Sequence, residues 1–395
     1  MNEYSSRIGR RGRKAARIAA AGEPTRAREE LEHRWLTRRN DEPRLAVMVT
    51  GEGARREPFH RWMAYRQGFS PALVRLFLAE NAARGQSWRG QVVLDPFSGS
   101  GTTVVECARN GVCGMGIEAL PSLVFLTAMK WARGFPPFPE VLESVRWQEV
   151  ADRLTEPIHR AALMLAVGRQ YTREGRLNRG AAPLGRLIQE SAATLRDDLV
   201  HPLTTRGLVI HGDARRMGML ADNGIGGILT SPPYLSRYDY REAVSPYEQV
   251  HTHWYGAKSA GAISSQLQAS PTTTSARSGD EAVHSAAEEA CARLMQTGHR
   301  QVAKMVRRYI SDMGTLLREC FRVLAPGGVC WMVIGGARLK DVYIPADLII
   351  AELAMAIGFR IDAVRVSRDL IAARRRFGGV GHLSPRESVV VMARE

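Results

Sequence analysis

The chain lacks several features that would have narrowed its class at once. No run of about 18 apolar residues occurs, so no membrane-spanning helix is expected. The opening MNEYSSRIGRRGRK carries charge with no apolar stretch behind it, so it does not read as a secretory signal. Its five cysteines (Cys107, Cys113, Cys291, Cys320 and Cys330) form no CxxC pair and no metal-like spacing. A disulfide scaffold or zinc ribbon is therefore not expected, and a reducing cytoplasm fits. There is no Pro-Cys dipeptide. The pair His251 and His253 stands without cysteine or acid partners, so packing or surface roles are expected there rather than a metal. No internal repeat is visible.

What is present is a 395-residue chain of ordinary globular composition, 45% hydrophobic and 24% charged, with a formal net charge of +15. The excess of basic residues points to a polyanionic partner, since charge governs association rather than fold. Arg7, Arg10, Arg11, Arg13, Lys14 and Arg17 cluster within eleven positions. Residues 1–45 are expected to form a basic N-terminal arm, with a short charged helix from Arg26 to Arg39. The arm is either a phosphate-contacting tail or a solvated terminus.

From residue 46 onward the pattern alternates strand and helix. Gln91–Asp95 reads as a buried strand, then comes a Gly-rich turn, a helix from Thr102 to Asn110 stopped by Gly111, and a strand over Val112–Ile117. Further strands are expected at Gly207–His211, Gly226–Thr230, Val329–Ile334, Phe359–Val366 and Glu387–Ala393. The best-marked helix is Gln301–Leu324, whose apolar residues recur on one face at the helical period. Seven strands with covering helices predict a doubly wound α/β sheet. Two insertions interrupt it, a helical one over about 131–205 and a Ser/Thr-rich one over about 257–300.

Two constellations follow strands directly, where open α/β sheets bind ligands. The first is Asp95-Pro96-Phe97-Ser-Gly99-Ser-Gly101-Thr102-Thr. Its glycines let backbone approach a ligand, and the helix start offers free N–H groups. A dinucleotide fingerprint would need a third glycine where Val104 stands, and a P-loop would need lysine where Thr102 stands. Neither phosphate pattern is met. Glu118 ends the next strand, where a carboxylate can accept from both ribose hydroxyls. A tight turn and a surface acid would look the same taken singly.

The second constellation is Thr230-Ser231-Pro232-Pro233-Tyr234. The prolines remove two backbone donors and leave carbonyl acceptors. Ser231 adds an oxygen, and Tyr234 adds a flat ring with a polar tip. A base stacked on Tyr234 can donate its exocyclic amine to these oxygens. That arrangement favours pyramidal nitrogen and stabilises the positive charge that grows as nitrogen is alkylated. A rigid turn is the plain alternative for this segment out of context.

DPFSGSGTT followed by TSPPY resembles the S-adenosylmethionine-dependent DNA amino-methyltransferases, which modify cytosine N4 or adenine N6. The resemblance covers most of residues 58–395 outside the two insertions. It extends to His60-Arg-Trp-Met-Ala-Tyr65, Gly68-Phe69-Ser-Pro71, His211-Gly-Asp213-Ala214, Pro326-Gly-Gly328 and Pro385-Arg-Glu-Ser-Val-Val-Val391. It implies a seven-stranded methyltransferase (Rossmann-like) sheet with the last strand antiparallel. It also implies a cofactor site lined by Tyr65, Phe69, Asp95, Pro96, Phe97, Gly99, Gly101, Thr102, Glu118 and Asp213, with Asp213 near the adenine, although an aspartate there also suits a helix N-cap. Ser231, Pro232, Pro233 and Tyr234 would hold the target base. The cofactor motif here precedes the catalytic one, the reverse of many members, so the placement of target recognition cannot be copied from them.

The implied function is site-specific methylation of duplex DNA after base flipping, in the company of a separate restriction endonuclease. Serine at position 231 leans to cytosine N4; adenine N6 is the alternative, followed by an RNA base methyltransferase or a non-catalytic DNA-binding protein. Arg237, Tyr238, Tyr240 and Arg241, and a second loop with Arg374, Arg375 and Arg376, are the expected DNA contacts, against a reading as packed or surface loops. Base readout is expected from residues 131–205 or 241–300.

Overall fold

The computed structural model describes residues 26–63, 68–139, 146–171, 178, 180–201, 203–235, 240–256, 284–370 and 385–395. The strands are β1 (Arg39–Asp41), β2 (Val92–Asp95), β3 (Cys113–Glu118), β4 (Gly207–His211), β5 (Ile225–Thr230), β6 (Leu324–Gly335), β7 (Ala337–Leu339), β8 (Val342–Ile344), β9 (Arg360–Asp369) and β10 (Arg386–Ala393). Eight of them form one sheet in the order β1-β9-β10-β6-β5-β2-β3-β4, and β7 pairs with β8 as a separate hairpin. Strands β2 to β6 run parallel to one another, whereas β10 is antiparallel to both β6 and β9.

The seven expected strands are all present, in a doubly wound sheet whose last strand is antiparallel. The eighth, β1, is a short edge strand parallel to β9. It lies within the segment assigned to the basic arm. The helix Arg26–Trp35 precedes it and buries Leu31 and Trp35 completely or nearly so. Glu32 of that helix receives Arg386 Nη1 at 2.9 Å, and Arg386 Nε donates to Asp347 at 2.8 Å, all inside the protein. A buried arginine needs such partners, because unpaired charge in the interior is costly. Residues 26–45 are thus packed onto the sheet, and the basic cluster from Arg7 to Arg17 lies outside the described residues.

Strand alternation divides the core. Val93, Trp331, Val333, Val389 and Val391 face one side, beneath the helix Pro71–Ala83 with Leu73 and Phe77. Leu94, Ile228, Met332 and Val390 face the other, beneath the helix Arg300–Val323 with Tyr309, Met313 and Leu317. Pro71 occupies the first turn of its helix, and Ser70 Oγ accepts from Ala72 N at 3.3 Å as the N-cap. Pro326-Gly-Gly328 lies inside β6, which starts at Leu324 directly after the helix.

The helical insertion has its own core. Helices Pro157–Arg169 and Leu184–Leu199 bury Leu163, Met164, Leu165, Ile188 and Leu195. That cluster also takes in Val244, Tyr247 and Val250 of the helix Tyr240–Tyr255. Of the second insertion, residues 257–283 lie outside the described residues, while Ser285–Gln296 is a helix packed on the main core through Ala286, Ala290, Cys291 and Leu294.

Candidate active site at two strand tips

The sheet order reverses between β2 and β5, which pair directly through Val93↔Gly227 and Leu94↔Ile228. Ligands of doubly wound sheets bind at this switch point, at the carboxyl ends of the strands. Asp95 ends β2 and Thr230 ends β5, so the two sequence motifs leave adjacent strands at the same edge.

Asp95 ties them together. Its Oδ1 accepts from Thr230 Oγ1 at 2.7 Å and Phe97 N at 3.1 Å, and its Oδ2 accepts from Thr103 Oγ1 at 2.8 Å. Burial raises its pKa to about 6 against the pull of those three donors. Thr103 and Thr230 were not singled out from sequence. Their signal was a hydroxyl residue placed where a buried strand or helix meets a turn.

The turn after β2 bends through two left-handed glycines, Gly99 at φ +51° and Gly101 at φ +80°. A Cβ at Gly101 would lie 2.3 Å from Thr127 Cγ2, so only glycine fits. Glu118, at the tip of β3, closes the turn: Gly99 N donates to Oε2 at 2.7 Å and Leu120 N to Oε1 at 2.9 Å. Burial pushes its carboxyl up to about 7, with the two N–H donors opposing. Each carboxylate oxygen has two acceptor directions, so both retain capacity for ligand hydroxyls. The buried hydroxyls of Ser98 and Thr127 have no protein hydrogen-bond partner around this turn. Such unmet polar atoms fit a polar ligand with hydroxyl and amino groups.

Lys130, unforeseen from sequence, is buried and donates through Nζ to the Ser100 carbonyl, with its ammonium 5.8 Å from the Trp62 ring. Burial lowers its pKa to about 7. The buried Lys130 amine, donating to a loop carbonyl, ties the turn to the segment after Ala128.

At the β5 tip, Pro232 is buried, while Ser231, Pro233 and Tyr234 are half-buried. Tyr234 Oη donates to Glu387 Oε1 at 2.8 Å, and Ser231 Oγ lies 3.5 Å from Tyr234 Oη as a donor. Glu387 was also missed. Its signal was an acid at the start of an otherwise apolar strand.

Phe69 is 4% exposed and packs in the core cluster with Leu73, Phe77 and Trp331. Asp213 is paired with Arg215, whose Nε and Nη2 reach its two oxygens at 3.0 and 2.7 Å, and Arg215 also bonds Asp312 at 2.9 Å. Pro96 and Thr102 are buried in the turn, and Phe97 packs against the main core. Tyr65, Arg237, Tyr238, Arg374, Arg375 and Arg376 lie outside the described residues. Tyr240 and Arg241 begin the helix Tyr240–Tyr255, their side chains not described. His251 packs against Tyr255, and His253 bonds Asp152 at 2.8 Å.

Residues 25–128, which contain the first motif, match the DNA methylase family. Type II methyltransferase M.AvaI from Nostoc sp. (strain PCC 7120) is 22% identical over 87% of this chain and 88% of its own length. Type II methyltransferase M.BsoBI from Geobacillus stearothermophilus is 20% identical over 87% of each chain. Type II methyltransferase M.MjaII from Methanocaldococcus jannaschii reaches 33% identity, over 22% of this chain and 15% of its own. Among solved structures, a putative sarcosine dimethylglycine methyltransferase from Galdieria sulphuraria covers 89% of this chain and 93% of its own at 11% identity, with a TM-score of 0.36, too loose a superposition to carry weight. The family match covers the turn after β2, and the full-length relatives carry the alignment through the second motif. The chain is thus similar to the N6/N4-type DNA methylases over residues 25–128 and, at 20–22% identity, to Type II methyltransferases over most of its length, which supports an S-adenosylmethionine-dependent DNA amino-methyltransferase.

Proposed function

We propose that this protein methylates N4 of cytosine within a specific sequence of duplex DNA, as the modification half of a restriction–modification pair. The observation that carries the reading is the Asp95 carboxylate, which accepts from Thr103 on the donor side and Thr230 on the base side. One buried group thereby sets the spacing of the two motif-bearing turns. Bound over the Gly99–Gly101 turn, S-adenosylmethionine supplies a methyl group on an electrophilic sulfonium. Glu118 would accept its ribose hydroxyls, and the backbone of the turn would lie along it.

The target base must leave the duplex, at a cost of a few kcal/mol in stacking and pairing. Tyr234 would offset roughly 1–3 kcal/mol of this by stacking. Ser231 Oγ and a carbonyl of the Pro232-Pro233 pair would accept the two amine N–H bonds and align the nitrogen lone pair. No covalent enzyme intermediate is required. Four of the five thiols fit that chemistry: Cys107, Cys291, Cys320 and Cys330 are buried, and burial raises their pKa values, so none of these four is poised as a thiolate nucleophile. Serine at 231 supports cytosine. The helical insertion is the better candidate for base readout, because its core is shared with the helix that begins six residues after Tyr234.

The Type II designation of the relatives supports the restriction–modification setting. Nucleoside mass analysis of DNA methylated by the pure protein tests the chemistry. The expected product is 4-methylcytosine; 6-methyladenine alone would overturn the cytosine assignment, and methyl transfer to tRNA but not to duplex DNA would overturn the substrate. Methylated-site sequencing in cells expressing the chain reads the recognition sequence.

A further inference from the structure

Tyr234 is held by a strand remote from it in sequence. Glu387 is the second residue of β10 and pairs in register with Gly335 of β6. Gly335 has no side chain, and the Tyr234 ring lies against that gap: a Cβ at 335 would sit 2.6 Å from Tyr234 Cδ2. From there the phenol reaches Glu387 Oε1 at 2.8 Å. The other oxygen of Glu387 accepts from Arg368 Nε at 2.6 Å, across the β9–β10 pairing. Glu387 is 3% exposed, so water competes little for these bonds.

The direction of the bonds matters. An ionised carboxylate only accepts, and the Arg368 guanidinium only donates. Tyr234 must therefore give its proton to Glu387, which leaves the phenol oxygen as an acceptor. Ser231 Oγ, 3.5 Å away, donates to it. With its proton so directed, the lone pairs of Ser231 are free to accept from elsewhere.

We propose that Glu387 is a positioning residue for methyl transfer. Through Tyr234 it polarises the hydroxyl chain, so that Ser231 presents lone pairs rather than a proton to the target amine, and it fixes the Tyr234 ring over Gly335. If Ser231 instead donated toward the amine nitrogen, it would occupy the lone pair that must attack the methyl group. The inference rests on the reading of Ser231 and Tyr234 as the base clamp.

The test is steady-state DNA methylation by Tyr234→Phe, Glu387→Gln, Glu387→Ala and the double variant Tyr234→Phe/Glu387→Ala, with Tyr234→Ala as a separate arm. Tyr234→Phe keeps the ring and removes only the hydroxyl. Glu387→Ala and Tyr234→Phe should each lower kcat by roughly 10- to 100-fold, the range set by misplacing a reacting group, with KM for DNA nearly unchanged. The double variant should be no slower than the worse single one, since both cut the same chain. Glu387→Gln should fall between, because its amide oxygen still accepts. Wild-type kcat in Tyr234→Phe, or losses that multiply in the double variant, would overturn the inference while leaving the base clamp intact. Wild-type kcat in Tyr234→Ala would remove the base clamp itself. Should Glu387→Ala fail to fold, Tyr234→Phe and Glu387→Gln decide between the outcomes.

Discussion

The two strand tips are built by opposite strategies. The donor turn after β2 is local: left-handed glycines shape it, and Glu118, only 19 residues from Gly99, closes it through backbone N–H groups. The base-side turn after β5 is short and stiff, and its key ring is held by Glu387, 153 residues away. The first is organised by backbone conformation and buried acids with raised pKa values, the second by side-chain hydroxyls anchored to an antiparallel strand. On the proposed function, the first turn would wrap a flexible ligand and is set by glycine φ angles, whereas the second would present a plane and an acceptor and is set by proline and by distant support.

The largest effect should come from breaking the donor side. Gly101→Val must adopt φ +80° with its Cβ 2.3 Å from Thr127 Cγ2, so S-adenosylmethionine binding should vanish in calorimetry. Gly99→Val, at φ +51°, should act in the same direction. Duplex DNA binding should survive in both; wild-type cofactor affinity in either would remove the cofactor from this tip. Next in size is Tyr234→Ala, which should lose roughly 1–3 kcal/mol of stacking, about 5- to 150-fold in kcat/KM, beyond the loss seen in Tyr234→Phe. Its cofactor affinity should match the wild type, since the ring belongs to the other tip.

A smaller effect follows from Glu118. Its folded pKa of about 7 exceeds the ordinary value of 4.5, so the folded state holds the proton more tightly than the unfolded chain. Its contribution to stability is therefore greatest below 4.5 and is lost as pH rises toward about 7. Cofactor affinity should run the other way, rising through pH of about 7 as the carboxylate ionises to accept ribose hydroxyls. Glu118→Gln should flatten both profiles; an unchanged affinity profile would remove Glu118 from the cofactor. The smallest change is expected from Asp95→Asn. Its amide can still accept from Thr230 while Thr103 turns to accept, so urea denaturation should register a loss of about 1 kcal/mol. A much larger fall in methylation than in stability would show how closely Asp95 sets the spacing of the tips.

Strand existence and order of motifs were legible because buried parallel strands write continuous apolar runs, and because glycines and prolines punctuate turns at the ligand edge. The helix Arg300–Val323 was legible from its apolar face for the same reason. Edge strand β1 was not, since three polar residues, Arg39, Asn40 and Asp41, carry no period of their own and pair only because β9 lies beside them. The helix Ser285–Gln296 was hidden by its small residues, Ala286, Ala287 and Ala290, which pack without forming a strong hydrophobic signature. The packing of Phe69 in the core and the pairing of Asp213 with Arg215 were not legible in their motifs, because what surrounds a side chain is not written in its neighbours.

The sequence alone determined the chemistry available at each tip: the φ angles open to Gly99 and Gly101, the acceptors left by Pro232 and Pro233, and the absence of a Pro-Cys nucleophile. Those are properties of residues and their immediate neighbours. Tertiary structure alone decided that Asp95 joins both turns, that Lys130 backs the first, and that Glu387 and Arg368 orient the second. The Asp95–Thr230 and Tyr234–Glu387 contacts join segments 135 and 153 residues apart, and only the closing of the sheet brings these buried polar groups near enough to satisfy one another.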